Sequence, residues 1–382
     1  MRFLEKYWLI LFLIDNLTSK FHPLAGLSTI AFFLSLFVAV LIVARNIGML
    51  ISPQTIRKYP FVYALVFSII LYQLTFGWFH INPKSWSYFF AKPIYLLALI
   101  VSVNKNFEFY SKDFFVKASY VIVGCLIYGA LFHNRILDGT RSDFGFGNPN
   151  SLGAVAALSF GYFFMLIDKF NWKNIAVCLV CLYAVLESGS RTALAVVLLA
   201  LFFKYGINWR TIRITLLSLG AIIILNLCGI HFVGIDRFVD TIEEGEYNAD
   251  REAEREAAIL MINNSPITGN GLYAGNSKEA REISELGSHN GYLDILKQFG
   301  IPFSCVIFFF LLWDSIRLTL RYRKTTDWHK KGHLLIVVSV LACAMNEGYF
   351  WGVHEYTTSV HFISLIILCT HASQRFIPQT QS

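Results

Sequence analysis

HFVGIDRFVDTIEEGEYNADREAEREAAILMINNSPITGNGLYAGNSKEAREISELGS, residues 231–288, is the one long polar stretch in a chain that otherwise reads as one hydrophobic run after another. It closes on Gly287-Ser288-His289-Asn290-Gly291, immediately before the next apolar run. That layout describes a membrane protein with many spans and one sizeable loop outside the bilayer. The expected fold is all-α: a polytopic transmembrane helical bundle of about twelve helices, with short helices in the larger extracytoplasmic loop. Residues 1–382 then form a single integral-membrane domain, with 231–288 as an extracytoplasmic loop within it.

Composition supports this reading. Hydrophobic residues make up 55% of 382 positions and charged residues only 15%, far from the balance of a soluble domain. The net charge of +7 hides an asymmetry. The polar stretch holds twelve acids against five bases, a balance of −7, so the rest of the chain is strongly basic. That basic remainder sits mostly in short loops flanking apolar runs, where membrane topology explains it and nucleic-acid binding is not needed. The seven cysteines lie in apolar runs and none in the polar loop, so no disulfide framework is implied. Cys178 and Cys181 are read as small apolar helix residues rather than a redox pair. The first apolar run has no small-residue cleavage signature after it and is read as a retained span.

Spans of roughly 17–25 apolar residues are expected at 3–19, 25–43, 61–79, 88–103, 114–132, 150–167, 172–187, 192–206, 211–229, 299–317, 333–350 and 357–373. With Arg2 and Lys6 in the cytoplasm, the inside loops collect Arg45, Arg57, Lys58, Lys105, Lys112, Lys169, Lys173, Lys204, Arg210 and Arg213. The last inside loop is the most basic, with Arg317, Arg321, Arg323, Lys324, Lys330 and Lys331. Both termini are then cytoplasmic. The acidic loop, Arg141, Arg191 and His289 all fall on the outer face.

Four segments of that face carry candidate chemistry. In Gly139-Thr-Arg-Ser-Asp-Phe-Gly-Phe-Gly-Asn-Pro-Asn-Ser-Leu-Gly153, Gly145 and Gly147 permit tight turns. Asn150 or Ser151 can cap the next helix, whose N-terminus would offer amide donors to an anion. Arg141 can add a bidentate phosphate contact; a capped connector with a solvated arginine is the plainer reading. In Glu187-Ser-Gly-Ser-Arg191-Thr-Ala, an arginine beside hydrocarbon either snorkels to headgroups or faces a polar cavity. From Asp250 to Gly271 a short amphipathic helix ends at Asn263-Asn-Ser-Pro266, followed by Gly269-Asn-Gly271 as a flexible turn. Arg251 and Arg255, four apart, share a helix face, with interleaved glutamates as available partners. In Ser288-His289-Asn290, the imidazole is the group best suited to moving a proton near neutral pH. A lone histidine is more often structural, but this one ends the loop, borders a span and shares a face with several arginines. His354 with Glu355 is a lesser pair, and Asn346 and Glu347 are placed to line the same cavity. No phosphate-cradling Gly-Lys-Ser/Thr loop, zinc-binding His-Glu-x-x-His or aspartate-rich transferase motif competes.

These segments resemble the O-antigen polymerase/ligase superfamily of bacterial integral-membrane glycosyltransferases. Arg141 with Phe144-Gly-Phe-Gly-Asn-Pro-Asn150-Ser-Leu-Gly resembles the family's Arg…Phe-x-Asn-Pro-Asn-x-x-Gly element. Ser190-Arg191-Thr192 resembles a Ser-Arg-Thr that opens a later helix. Arg251 followed by Pro266-Ile-Thr-Gly269-Asn-Gly271 resembles Arg…Pro-x-x-Gly-x-Gly. His289-Asn290-Gly-Tyr-Leu with Phe299-Gly300-Ile301 resembles the segment that closes the periplasmic loop. Arg255 stands where the family usually has an aromatic residue, which leaves open whether Arg251 or Arg255 faces substrate.

The resemblance implies glycan transfer from a polyprenyl-diphosphate donor on the outer face of the bacterial plasma (inner) membrane. It implies neither metal nor cofactor nor nucleotide sugar. His289 is the implied general base; Arg141, Arg191, Arg251 and Arg255 the diphosphate ligands; Asn148, Asn150, Ser190 and Asn290 the supporting residues. Guanidinium groups can stabilise the departing diphosphate where other transferases use a divalent cation, and a neutral imidazole can take the acceptor's proton. A single displacement would invert the anomeric carbon. The partners implied are the polyprenyl-diphosphate-linked oligosaccharide, a glycan acceptor and membrane lipids, with room for a chain-length regulator. The leading expectation is a polymerase that joins lipid-linked repeats into O-antigen, capsule or exopolysaccharide. The alternative is a ligase that moves finished glycan onto lipid A-core or protein. A flippase or transporter is the reading from another class; it should show internal repeats or midplane charges, and the chain shows no obvious half-to-half repeat.

Overall fold

The computed structural model describes residues 2–374 apart from 19, 80–83, 134–140, 168–170, 210, 214, 218–219, 221–223, 225–248, 286, 349–351 and 353–354. Among these there is no β-strand. In chain order the helices are α1 Arg2–Thr18, α2 Ser28–Arg45, α3 Ile47–Leu50, α4 Pro53–Lys58, α5 Pro60–Thr75, α6 Lys92–Lys105, α7 Phe115–Phe132, α8 Pro149–Leu166, α9 Trp172–Ser188, α10 Arg191–Tyr205, α11 Ala249–Asn264, α12 Lys278–Ile283, α13 Gly291–Tyr322, α14 Trp328–Cys343 and α15 Tyr356–Gln374.

Each expected span except 211–229 falls on a helix, 333–350 only in part, because α14 ends at Cys343 and Asn346 and Glu347 lie in the turn after it. Segment 211–229 lies mostly outside the described residues, as do loop residues 231–248, Gly139, Thr140 and His354. Among the described residues, five continuous helical segments are long and apolar enough to cross a membrane: His22–Arg45, Ser87–Lys105, Phe109–Phe132, Pro149–Leu166 and Gly291–Tyr322. On α2, Ile30, Phe33, Phe37 and Val40 are exposed. A chain with such a helix finds a matching solvent in lipid tails, because α-helices satisfy every backbone polar group internally. The chain is an integral membrane protein of the polytopic helical class.

The centre of the bundle is α8, which packs against α9, α10 and α14. Its small residues make that possible. A Cβ at Gly153 would come within 2.6 Å of Ser188 Oγ and 2.8 Å of Ser190 Cβ, so glycine lets α8 lie directly against the α9–α10 turn. Short polar side chains start the helices that matter for the site. Asn148 accepts from the Asn150 N–H, Ser190 from Ala193 and Asn290 from Tyr292 and Leu293. The expected cap at Asn150 or Ser151 is therefore corrected. The helix begins two residues earlier, with Pro149 at its first position, where a missing N–H costs nothing.

The segment expected as span 299–317 is the middle of a longer element. Helix α13 starts at Gly291 and passes through Gly300 at φ 70°, ψ 174°, with Pro302 just beyond. It is two helices end to end, redirected at a glycine and a proline.

Candidate active site

A cavity of about 200 Å³ lies where the N-terminal ends of α8, α10 and α11 meet the turn leading into α13. Asn150 comes from α8, Arg191 and Thr192 from α10, Asp250, Arg251 and Glu254 from α11, and His289 from the turn; Arg141 completes the wall. Helix N-termini present unsatisfied N–H groups and the positive end of the helix dipole. Two of them on one cavity, those of α8 and α10, together with Arg141, Arg191 and Arg251, make a site whose backbone and side chains both favour an anion.

Local sequence explains how each group is held. Gly189 ends α9 in the left-handed conformation at φ 59°, which glycine adopts without steric cost. The chain then reverses so that Ser190 caps α10 and Arg191 becomes its first residue. Arg141 donates through Nε to the Ser188 carbonyl at 2.9 Å and through Nη2 to Asn150 Oδ1 at 2.5 Å. Asn150, relieved of capping by Asn148, uses its Nδ2 to donate to Glu347 Oε1 at 2.9 Å. The first expected segment is thus tied into the second through Ser188 and into the C-terminal half of the chain through Glu347.

His289 is held between two carboxylates. Its Nδ1 lies 3.5 Å from Glu347 Oε2 and its Nε2 3.6 Å from Glu254 Oε1. Both carboxylates are nearly buried. Arg251 Nη2 reaches Glu347 Oε1 at 3.5 Å, so Glu347 links Asn150, Arg251 and His289. The Glu347 contact raises the His289 pKa above its ordinary value; burial opposes that rise, and the negative charges of Glu254 and Glu347 add to it. Burial also pushes the Glu254 carboxyl up, offset by His289 and Arg251. His289 itself sits at φ 40°, in the left-handed region where a non-glycine residue stores strain. That geometry is fixed from both sides. Asn290 caps α13 and donates to the Met345 carbonyl at 2.8 Å, and the Gly291 N–H reaches the Ala344 carbonyl at 2.8 Å.

The third and fourth segments lock together below the cavity. The Asn270 and Gly271 N–H groups donate to the Lys297 and Gln298 carbonyls at 2.9 and 3.2 Å, and Ile301 N–H donates to the Pro266 carbonyl at 2.7 Å. A Cβ at Gly269 would fall 2.2 Å from the Gln298 oxygen, and one at Gly300 2.5 Å from the Ile267 oxygen. Gly269-Asn-Gly271, expected as a flexible turn, is a docked backbone crossing that needs glycine on both strands of chain.

Of the residues singled out in the sequence, Arg141, Asn150, Ser190, Arg191, Arg251 and His289 line this one cavity. Asn148 and Asn290 border it as helix caps. Arg255 is exposed on α11 and is not among the lining residues. Glu254 was read only as a salt-bridge partner and Glu347 only as a neighbour of the cavity. The one signal for either was an acid placed where the chain re-enters apolar sequence.

Residues 176–308 match a family model described as O-antigen ligase. No curated protein matches the chain. The matched region spans α9 through the first part of α13 and contains Arg191, Arg251 and His289. Over those residues the chain is similar to that family.

Proposed function

We propose that the protein transfers glycan from a polyprenyl-diphosphate-linked oligosaccharide, without a metal ion. The acceptor hydroxyl oxygen attacks the anomeric carbon, the bond from that carbon to the diphosphate oxygen breaks, and the hydroxyl proton passes to His289. The observation that carries this reading is the meeting of three guanidinium groups, two helix N-termini and one carboxylate-held imidazole in a single cavity. Arg141, Arg191 and Arg251 would hold the diphosphate and take up the charge that develops as it leaves. Glu347, at Nδ1, orients the ring and raises its basicity, and Nε2, which stands beside Glu254 on the cavity wall, is the proton acceptor, the logic of a carboxylate-supported histidine base. Arg255 plays no part in this scheme; Arg251 is the α11 arginine that faces substrate.

In this reading residues 1–382 form one integral-membrane domain with both termini cytoplasmic. The cavity opens to the periplasmic or extracellular face, the side on which 231–288 forms its loop. The polymerase reading leads, because the loop is modest in size. The ligase reading is kept alive by the description of the matching family. Deleting the gene and resolving the surface glycan and polyprenyl-linked pools on a gel separates them. A single repeat on the final acceptor, with no ladder, indicates a polymerase. Long polyprenyl-linked chains that never reach the acceptor indicate a ligase. An unchanged profile contradicts both.

A further inference from the structure

The Gly287–Asn290 turn has a cavity on each side. His289 lines the arginine cavity, and Gly287 lines a second one of about 300 Å³. Two residues of chain span at most about 7 Å, so the backbone that lines one cavity at Gly287 is close to the backbone that carries the base into the other at His289. The second cavity is walled by Tyr88, Tyr273, Asp294, Lys297, Gln298 and Glu355, with Glu285 at its edge. None of its lining residues is an arginine. Glu285, Asp294 and Glu355 line it with Lys297, while Lys20 pairs with Glu355 at 3.9 Å and Lys84 lies beside Tyr273, so it lacks the cluster of guanidinium groups that favours phosphate in its neighbour.

What this cavity offers instead is the chemistry that recognises sugars. The Tyr88 and Tyr273 rings lie 5.4 Å apart, tilted by 38°. Lys84 lies over the Tyr273 ring, and the ring surface the pair leaves to the cavity attracts the polarised C–H groups on one side of a pyranose ring. Carboxylates, the Gln298 amide and the Lys297 ammonium supply acceptors and donors for hydroxyl groups.

The walls are also held in place. Lys297 is 2% exposed and pairs with Asp294 at 3.4 Å, and Asp294 accepts from Ser288 Oγ at 2.7 Å. Gln298 Oε1 accepts from the Tyr273 N–H at 2.9 Å, and Lys84 lies 5.0 Å from the Tyr273 ring centroid. Tyr273 has φ 61°. A bulky residue held in the left-handed region is the kind of stored strain that gathers at ligand sites, and His289 shows it in the adjoining cavity.

We propose that this second cavity is the saccharide subsite for the glycan acceptor. It places the attacking hydroxyl beside His289 while the donor's diphosphate occupies the arginine cavity. The proposal rests on the glycan-transfer reading above. It assigns recognition of the acceptor sugar to Tyr88, Tyr273 and Asp294, residues that contribute nothing to diphosphate binding.

The test uses the full-length protein in nanodiscs with two probes measured separately. One is a repeat-unit oligosaccharide released from the cell's own lipid-linked pool by mild acid; the other is polyprenyl diphosphate. Tyr88→Ala should weaken oligosaccharide binding and raise the acceptor KM by roughly tenfold while leaving polyprenyl-diphosphate binding unchanged. Tyr88→Trp, which keeps a ring face, should restore both. Arg191→Ala should do the opposite, losing polyprenyl diphosphate and keeping the oligosaccharide. If wild-type protein transfers glycan while Tyr88→Ala and Tyr273→Ala bind the oligosaccharide as wild type does, the subsite assignment falls and the transfer reading stands. If wild-type protein neither binds the oligosaccharide nor transfers it, both fall.

Discussion

The two cavities that meet the Gly287–Asn290 turn draw on different, widely separated parts of the chain and differ in nearly every chemical respect. One gathers helix N-termini and guanidinium groups around an imidazole. The other gathers tyrosines, carboxylates and a single buried ammonium. Both lie where the bundle stops being apolar. The difference shows how a membrane protein with few charges can separate two substrates. A charged leaving group is drawn to helix ends and arginines, and a neutral polyol is drawn to rings and hydrogen-bonding side chains. In the proposed scheme His289, which lines the first cavity, acts on both.

That contrast can be broken most severely at His289. His289→Ala should slow transfer by about 10²–10⁴-fold, the usual worth of a general base, with insertion into the membrane unchanged on fractionation. Arg251→Ala should follow, at about 10²–10³-fold in turnover. Arg191→Lys should be poorly tolerated because an ammonium cannot reproduce the planar fork; full activity would return Arg191 to a snorkelling role. Gly269→Ala tests the crossing beneath both cavities. With φ at 62° and a backbone oxygen 2.2 Å from the new methyl, it should cost about 1–3 kcal/mol or more of stability, read as a lower melting temperature in detergent.

Glu347→Gln sharpens the account of the base itself. Glu347 is the main group that stabilises the His289 imidazolium, so the folded pKa lies above the ordinary 6.5. A general base works only when neutral, so the rate should rise with pH as the ring loses its proton, with the midpoint above 6.5 in wild type. Removing the carboxylate charge should move that limb to lower pH and reduce the plateau rate, since a less basic imidazole is a weaker base. A limb that stays in place would show that Glu347 does not govern the ring. The smallest effect should come from Arg255→Ala. Arg255 is exposed outside the cavity, and surface substitutions of that kind are usually worth about 0.5 kcal/mol or less.

Much of this was legible in the sequence because the bilayer imposes a simple rule on it. Apolar runs of sufficient length become helices, and the helices follow the expected segments from 25–43 to 357–373 wherever they are described. Candidate residues were legible because polar groups stand out against such a background. What stayed hidden depends on contacts between residues far apart in sequence. Asn150 looked like a cap, but Asn148 takes that role and frees Asn150 to join Arg141 to Glu347, a partner 197 residues away. Gly269 and Gly300 each looked like a local turn; only their meeting shows that each is needed for the other's approach. Arg251 and Arg255 share a helix face, and only the fold shows that Arg251 lines the cavity and reaches Glu347 while Arg255 is exposed. The tyrosine cavity had no signature at all, because Tyr88, Tyr273 and Glu355 come from three separate parts of the chain.

The most direct test of the central claim measures donor binding and glycan transfer in the same nanodisc samples, for wild type and for His289→Ala, with a polyprenyl-diphosphate-linked oligosaccharide as donor. The account predicts donor affinity within a few-fold of wild type and transfer at least about a hundredfold slower. Transfer by His289→Ala at a rate near that of wild type would contradict it.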